Sequence, residues 1–212
     1  MDDSTTTPSR LTDRKRAAVI EAAIDEFRAS GYDATSMDRI AARANVSKRT
    51  VYNHFPSKEA LFAAILQQLW AASQAGDAPG YRADLPLRAQ LIDLLAQKLR
   101  LLNDEAFMSL ARVAIAAGIH SPERARDMVA RIGEREEGLT VWIRAAAANG
   151  RLDAPDPAFA AQQLHGLVKG FAFWPQVTMG QPPLSLAEQQ RIAESSADMF
   201  LARYASEPDD PR

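Results

Sequence analysis

The sequence predicts an all-α protein, and three observations carry that prediction. No stretch alternates apolar and polar residues with the period of two that a strand needs, whereas apolar residues recur at three- and four-residue intervals through most of the chain. Aliphatic side chains and Ala dominate a hydrophobic share of 47%, beside 25% charged residues, an ordinary soluble composition. Ser, Thr and Asp caps and Gly and Pro breaks fall between the apolar stripes. At 212 residues the chain is long enough for one core or two small ones.

Residues 1–11 read as a disordered, polar leader. Thr12 or Asp13 then caps a first helix with a basic entrance (Arg10, Arg14, Lys15, Arg16) and a stripe of Val19, Ile20, Ala23, Ile24 and Phe27. Those cations suit either a DNA backbone or a solvated helix start. Gly31 ends the helix as a C′ glycine. Ser36 caps a second helix carrying Met37, Ile40, Ala41 and Ala44. Only Asn45-Val46 separates it from Ser47, the cap of a third. The turn needs one left-handed residue, which Asn tolerates better than most. In the third helix Val51 and Phe55 share an inward face and leave Lys48, Arg49, Tyr52 and His54 outward. Two short helices joined by a tight turn, the second basic outward, make a helix-turn-helix. Pro56-Ser57 breaks that helix and opens a fourth, with Leu61, Phe62, Ile65, Leu66 and Leu69 at helical spacing.

Gly76, Pro79, Gly80 and Pro86 mark residues 73–86 as a loop and a domain boundary. Beyond it run further stripes: Leu87, Leu91, Leu94, Leu95 and Leu102; then Phe107, Met108, Ala111 and Ile115 up to Gly118. Ser121-Pro122 opens a segment with Ala125, Met128, Val129 and Ile132, and Leu139, Trp142, Ile143 and Ala146 follow to Asn149-Gly150. After Asp156-Pro157, one face carries Leu164, Leu167, Val168, Phe171 and Trp174 until Pro175. Ser185 and Glu188 form a capping box for a last helix with Ile192, Ala193, Ser196, Met199 and Phe200. The expected division is 12–75 for the helix-turn-helix domain with its linking helix, 76–205 for a helical-bundle domain, and 206–212 for a tail.

Net charge is −2, yet residues 34–58 hold five cations against Asp38 alone, and residues 59–212 hold 15 bases against 19 acids. A local basic patch on an acidic body suits a protein that meets phosphate with one face. There are no cysteines, which removes disulfides and thiolate metal sites. His54, His120 and His165 lack close metal-ligand spacing, and no phosphate loop or nucleophile elbow occurs, so no enzyme, cofactor or metal is expected. Glu136-Glu137 reads as solvated surface. The N-terminus lacks the pattern of a signal peptide and no apolar run approaches a membrane span, so the expected location is the cytoplasm.

Thr35-Ser36-Met37-Asp38-Arg39-Ile40-Ala41, Ala44-Asn45-Val46-Ser47 and Thr50 through Leu61, with Ala22-Ala23, Phe27 and Gly31-Tyr32 upstream, closely resemble the DNA-binding domain of TetR/AcrR transcriptional regulators over roughly residues 12–66. Asn45 departs from the family's usual Gly. The segment from about Phe107 to Tyr204 looks like the C-terminal domain of the AefR-like subgroup, through Gly150-Arg151-Leu152, Ala160-Ala161, Gly170 and Phe200 to Tyr204.

The resemblance implies that the helix from Ser47 to His54 enters a major groove, with Lys48 and Arg49 reading base edges. Tyr52 and His54 are then expected on phosphate or sugar, together with Thr35, Ser36 and Lys58; Thr50 would pack or bond phosphate, and Asn53 adds an adenine contact. It also implies a homodimer on a near-palindromic double-stranded DNA operator, its interface built from Leu164, Val168, Ile192, Ala193, Ser196 and Phe200. A small, largely hydrophobic effector would sit among Phe107, Met108, Arg112, His120, Trp142, Phe171, Phe173 and Trp174. The competing view is a helical ligand-binding protein that never touches DNA.

Overall fold

The computed structural model describes residues 8–74, 80–123, 125–126 and 138–206. The expected leader up to residue 7, the stripe positions Met128, Val129 and Ile132, Glu136-Glu137, and the tail beyond residue 206 lie outside them. Within them the chain is helix and loop, with a single isolated bridge between Leu152 and Ala205. No helix among the described residues is long and apolar enough to cross a membrane.

The chain divides into two compact units. The first contains α1 (Pro8–Ser30), α2 (Met37–Arg43), α3 (Lys48–His54) and most of α4 (Lys58–Gln74). Helix α1 starts several residues before the expected Thr12 or Asp13: Pro8 suits a first helical position, and nothing in the next three residues breaks a helix. It stops where Gly31 turns left-handed at φ 79°. Ser36 caps α2 by accepting from Arg39 N, and Ser47 caps α3 by accepting from Thr50 N. Between them Asn45 adopts φ 51°, the left-handed conformation the turn requires. Val19, Ile20, Ala23, Phe27, Ile40, Val51, Phe55, Leu61, Phe62 and Ile65 form the core of this unit.

That core also takes in Leu110, Val113, Ala114 and Ala117 of α6 (Glu105–Ile119). The described residues from Ser109 to Arg126 therefore belong to the first unit, although the sequence placed them in a continuous second domain. Helix α6 carries apolar residues around much of its circumference, and periodicity says which face is buried but not against what.

The second unit holds α5 (Leu87–Leu102), α7 (Gly138–Ala148), α8 (Pro157–Ala172), the short α9 (Trp174–Thr178) and α10 (Leu186–Tyr204). Helix α5 packs on α10, α7 on α8, and α8 on α10. The expected caps are present: Asp156 accepts from Phe159 N, and Ser185 with Glu188 completes the capping box. Gln90 is a buried polar anchor. Its amide nitrogen donates to Arg82 O at 2.8 Å and Leu85 O at 3.0 Å, while its amide oxygen accepts from Arg82 N at 2.9 Å and Trp142 Nε1 at 3.3 Å. A group that enters the core with all these partners fixes the α5–α7 register as well as filling space.

Candidate nucleic-acid interface

Helix α3 is held by its apolar side and presents its polar side. Val51 and the following Phe55 are buried against α1 and α2, and the Arg16 guanidinium lies 5.1 Å from the Phe55 ring centroid. Lys48, Arg49, Tyr52 and Asn53 are exposed, and Thr50 and His54 are half-buried. Ser36 is also exposed. Lys48, Arg49, Thr50, Tyr52, Asn53 and His54 thus share one short helix, and Ser36 caps the helix before it. The Thr50 hydroxyl lies 2.8 Å from the Ser47 hydroxyl, within the cap itself.

Two expected contact residues are engaged elsewhere. The Thr35 side chain is buried, and its hydroxyl donates toward the end of α1, 2.8 Å from Gly31 O and 3.1 Å from Glu26 O. It closes that helix and is withdrawn from any phosphate. Lys58 turns its ammonium onto the carbonyls of Tyr32 (2.7 Å), Thr35 (3.0 Å) and Asp33 (3.2 Å), and lies 4.5 Å from the Tyr32 ring centroid. Three N–H groups matched to three carbonyls make it a clamp between α4 and the α1–α2 loop. A phosphate would have to displace those carbonyls.

The local basic patch is also more neutral than its sequence window suggests. Glu26, buried on α1, lies 2.7 Å from Arg43 Nε and 2.8 Å from Arg39 Nη2, and Asp25 adds a 3.4 Å contact to Arg43. The bond to Glu26 raises the Arg43 pKa further. These acids are more than ten residues away in sequence, so no window centred on α2 and α3 includes them. Lys48 pairs with Asp38, Nζ to Oδ1 at 2.8 Å, which raises the Lys48 pKa. Arg49 makes no ion pair among the described residues.

The residues proposed for an effector pocket differ widely in burial. Phe107, Met108 and Trp142 are buried core, Arg112 and Phe173 half-buried, and His120, Phe171 and Trp174 exposed. Phe173 and Trp174 do meet, with ring centroids 5.1 Å apart. A shallow groove of about 320 Å³ lies instead along α7 and α8, lined by Thr140, Ala158, Ala161, Gln162, His165, Gly166 and Lys169. None of these was proposed from the sequence as a pocket residue, because a polar face at helical spacing looks like any solvated face.

The proposed dimer residues sit in the wrong register. Leu164, Val168, Ala193, Ser196 and Phe200 are all at most 4% exposed, inside the α8–α10 packing of one chain, and Ile192 is half-buried. The outward faces of these helices carry Phe159, Gly166 and Gly170 on α8 and Met199 on α10. Small residues mid-helix do permit close approach, and within the monomer α10 packs on both α5 and α8.

Residues 19–65 match the family model described as bacterial regulatory proteins, tetR family, and residues 89–206 match that of the AefR-like transcriptional repressor C-terminal domain. The crystal structure of a TetR family transcriptional regulator from Pseudomonas syringae pv. tomato str. DC3000 is 53% identical, covers 91% of this chain and 97% of its own, and superposes with a TM-score of 0.82. The flavonoid-responsive regulator FrrA is 30% identical over 91% of this chain and 98% of its own, with a TM-score of 0.67. The HTH-type transcriptional regulator RutR of Escherichia coli (strain K12) is 29% identical over 176 residues, 80% of this chain and 79% of RutR. With these matches spanning both units and an exposed, well-capped α3 in the first, the chain belongs to the TetR family of helix-turn-helix transcriptional regulators and carries an AefR-like C-terminal domain.

Proposed function

We propose that this chain is a homodimeric repressor that binds a near-palindromic operator through α3 and leaves it when a small, largely hydrophobic effector binds its C-terminal body. The observation that carries the DNA-binding part is the outward face of α3, with Lys48, Arg49, Tyr52 and Asn53 all exposed on a helix anchored by Val51 and Phe55. Arg49 is free to take both acceptors of a guanine edge, and Lys48 is its neighbour. Tyr52 and His54, with the α2 cap Ser36, suit phosphate and sugar contacts that set register without reading sequence.

One seven-residue helix gives too little contact for operator affinity, and a two-fold pair placing two such helices about 34–36 Å apart supplies the rest. The exposed Phe159 and Met199 support pairing through the outward faces of α8 and α10. Gly166 and Gly170, on the same face of α8 as Phe159, allow close approach of a second helix. The name of FrrA supports regulation by a small molecule; an effector acts by favouring one of two arrangements of the paired α3 helices.

A gel-shift assay with DNA upstream of the chain's own and neighbouring genes tests the reading. Retarded bands that survive scrambled competitor support it, as does their loss on addition of an effector. A chain that binds no duplex at low salt is the ligand-binding alternative instead.

A further inference from the structure

We infer that Asp38 is a specificity-determining residue: by holding Lys48 across the turn, it suppresses indiscriminate phosphate binding by α3. The inference rests on the DNA-binding reading above. Asp38 is the one acid between residues 34 and 58, and it lies in the first turn of α2, facing the first residue of α3. Lys48 Nζ lies 2.8 Å from Asp38 Oδ1 and 3.0 Å from Oδ2, so both carboxylate oxygens are within reach of one ammonium. Neither group is buried: their side chains are 60% and 62% exposed. The pair therefore contributes little to stability, and fold maintenance gives a weak account of it.

Its position gives a better one. Lys48 and Arg49 are adjacent at the exposed start of α3, yet only Lys48 has a carboxylate partner among the described residues. An unrestrained lysine is a flexible point charge that gains as much from any phosphate as from a base edge. Tethered to Asp38, it has less to gain from a phosphate, because a favourable charge contact is already present in the unbound protein. Asp38 itself meets any misplaced phosphate as a like charge, which penalises wrong docking more than right docking. A guanine edge presented at the correct distance lets Lys48 bond the base while keeping the carboxylate nearby. Asp38 thus subtracts from binding to arbitrary duplex and leaves discrimination in place.

The test is a cycle of four full-length proteins: unmodified, Asp38→Asn, Lys48→Met, and both together. Each is titrated with a labelled duplex of scrambled sequence, by fluorescence anisotropy, across a range of salt. Asp38→Asn is expected to tighten scrambled-duplex binding roughly two- to fivefold. It should also steepen the slope of log K against log salt by about 0.9, one further phosphate neutralised. In the Lys48→Met background the same change should leave the slope unaltered and shift affinity far less. Equal effects in both backgrounds would show that Asp38 acts only as a repulsive charge, and would overturn the inference alone. An unmodified chain that binds no duplex overturns the DNA-binding reading and this inference with it. A reading that needs no DNA accompanies the cycle. The Lys48 ammonium resonance, seen by nitrogen-15 NMR, should respond to Asp38→Asn; an unchanged signal also sinks the pairing.

Discussion

Helices α3 and α8 bury their apolar side chains in different circumstances. Helix α3 has one apolar face, Val51 with the adjoining Phe55, and everything else on it is polar and outward. Helix α8 has apolar residues on two sides: Ala160, Ala161, Leu164, Val168 and Ala172 face the interior of its own unit, while Phe159 and Phe171 stand in solvent. Helix α10 repeats this, with Ala193, Ser196, Ala197 and Phe200 inward and Met199 outward. A helix with a single apolar stripe has one possible inside. A helix with two has an inside and a second surface, and each stripe is chemically eligible for either role. The outward Phe159 on α8 and Met199 on α10 are the surface we propose a partner chain to cover.

The first way to break this comparison is Leu164→Ala. Leu164 is fully buried, so the change should cost about 2–5 kcal/mol of unfolding free energy, read by urea denaturation. Were Leu164 an interface residue instead, monomer unfolding would hardly move and the dimer would fall apart. Its counterpart is Phe159→Asp with Met199→Asp, on the outward faces. Light scattering after gel filtration should show a monomer, with dimer affinity weakened by at least ~100-fold, about 2.7 kcal/mol, while circular dichroism stays unchanged. Retention of the dimer would place the interface elsewhere.

On α3 the sharpening experiment is Lys48→Ala with Arg49→Ala. Preference for the operator over scrambled duplex should fall roughly 10- to 100-fold in competition gel shifts, with thermal stability held. A preserved preference would mean that α3 does not read bases. The smallest effect concerns α5 and α10. The hydrogen bond from Arg88 lowers the Asp198 pKa below its ordinary value. A carboxylate whose folded pKa lies below its unfolded one stabilises the fold above the unfolded value. That contribution disappears as pH falls through the folded value. Arg88→Met should therefore lower the melting temperature slightly at pH 7, and the difference should vanish as pH falls below the depressed folded pKa of Asp198, where the carboxyl is protonated in either protein. A difference that persists in acid would show that Arg88 acts by packing.

Much of the first unit was written in local signals. Ser36, Asn45 and Ser47 name a cap, a left-handed turn and a second cap, and the backbone adopts each of them. Asn45 needs no partner to prefer φ 51°, and Ser47 needs only the amide three residues on. The candidate site was less complete. Thr35 and Lys58 fit the motif by position, but their partners, Gly31, Glu26 and the Tyr32–Thr35 carbonyls, come from the end of α1 and the loop after it. Glu26 and Asp38 were missed as electrostatic partners because their effect depends on distance in space. The effector residues differ in burial for a related reason: an aromatic such as Trp142 or Phe171 carries no local mark that distinguishes core, pocket and surface.

The sequence by itself determined the helical class, the caps, the left-handed turn at Asn45 and the division of α3 into an anchored and an exposed side. These follow from interactions within about four residues, which the order of side chains encodes directly. Only the tertiary structure decided which side of α8 and α10 is interior, that Leu110, Val113, Ala114 and Ala117 of α6 pack with the first unit, and which cations of the helix-turn-helix are already paired. Those outcomes depend on which helix comes to lie against which, and a stripe of apolar residues specifies that something will cover it without specifying what.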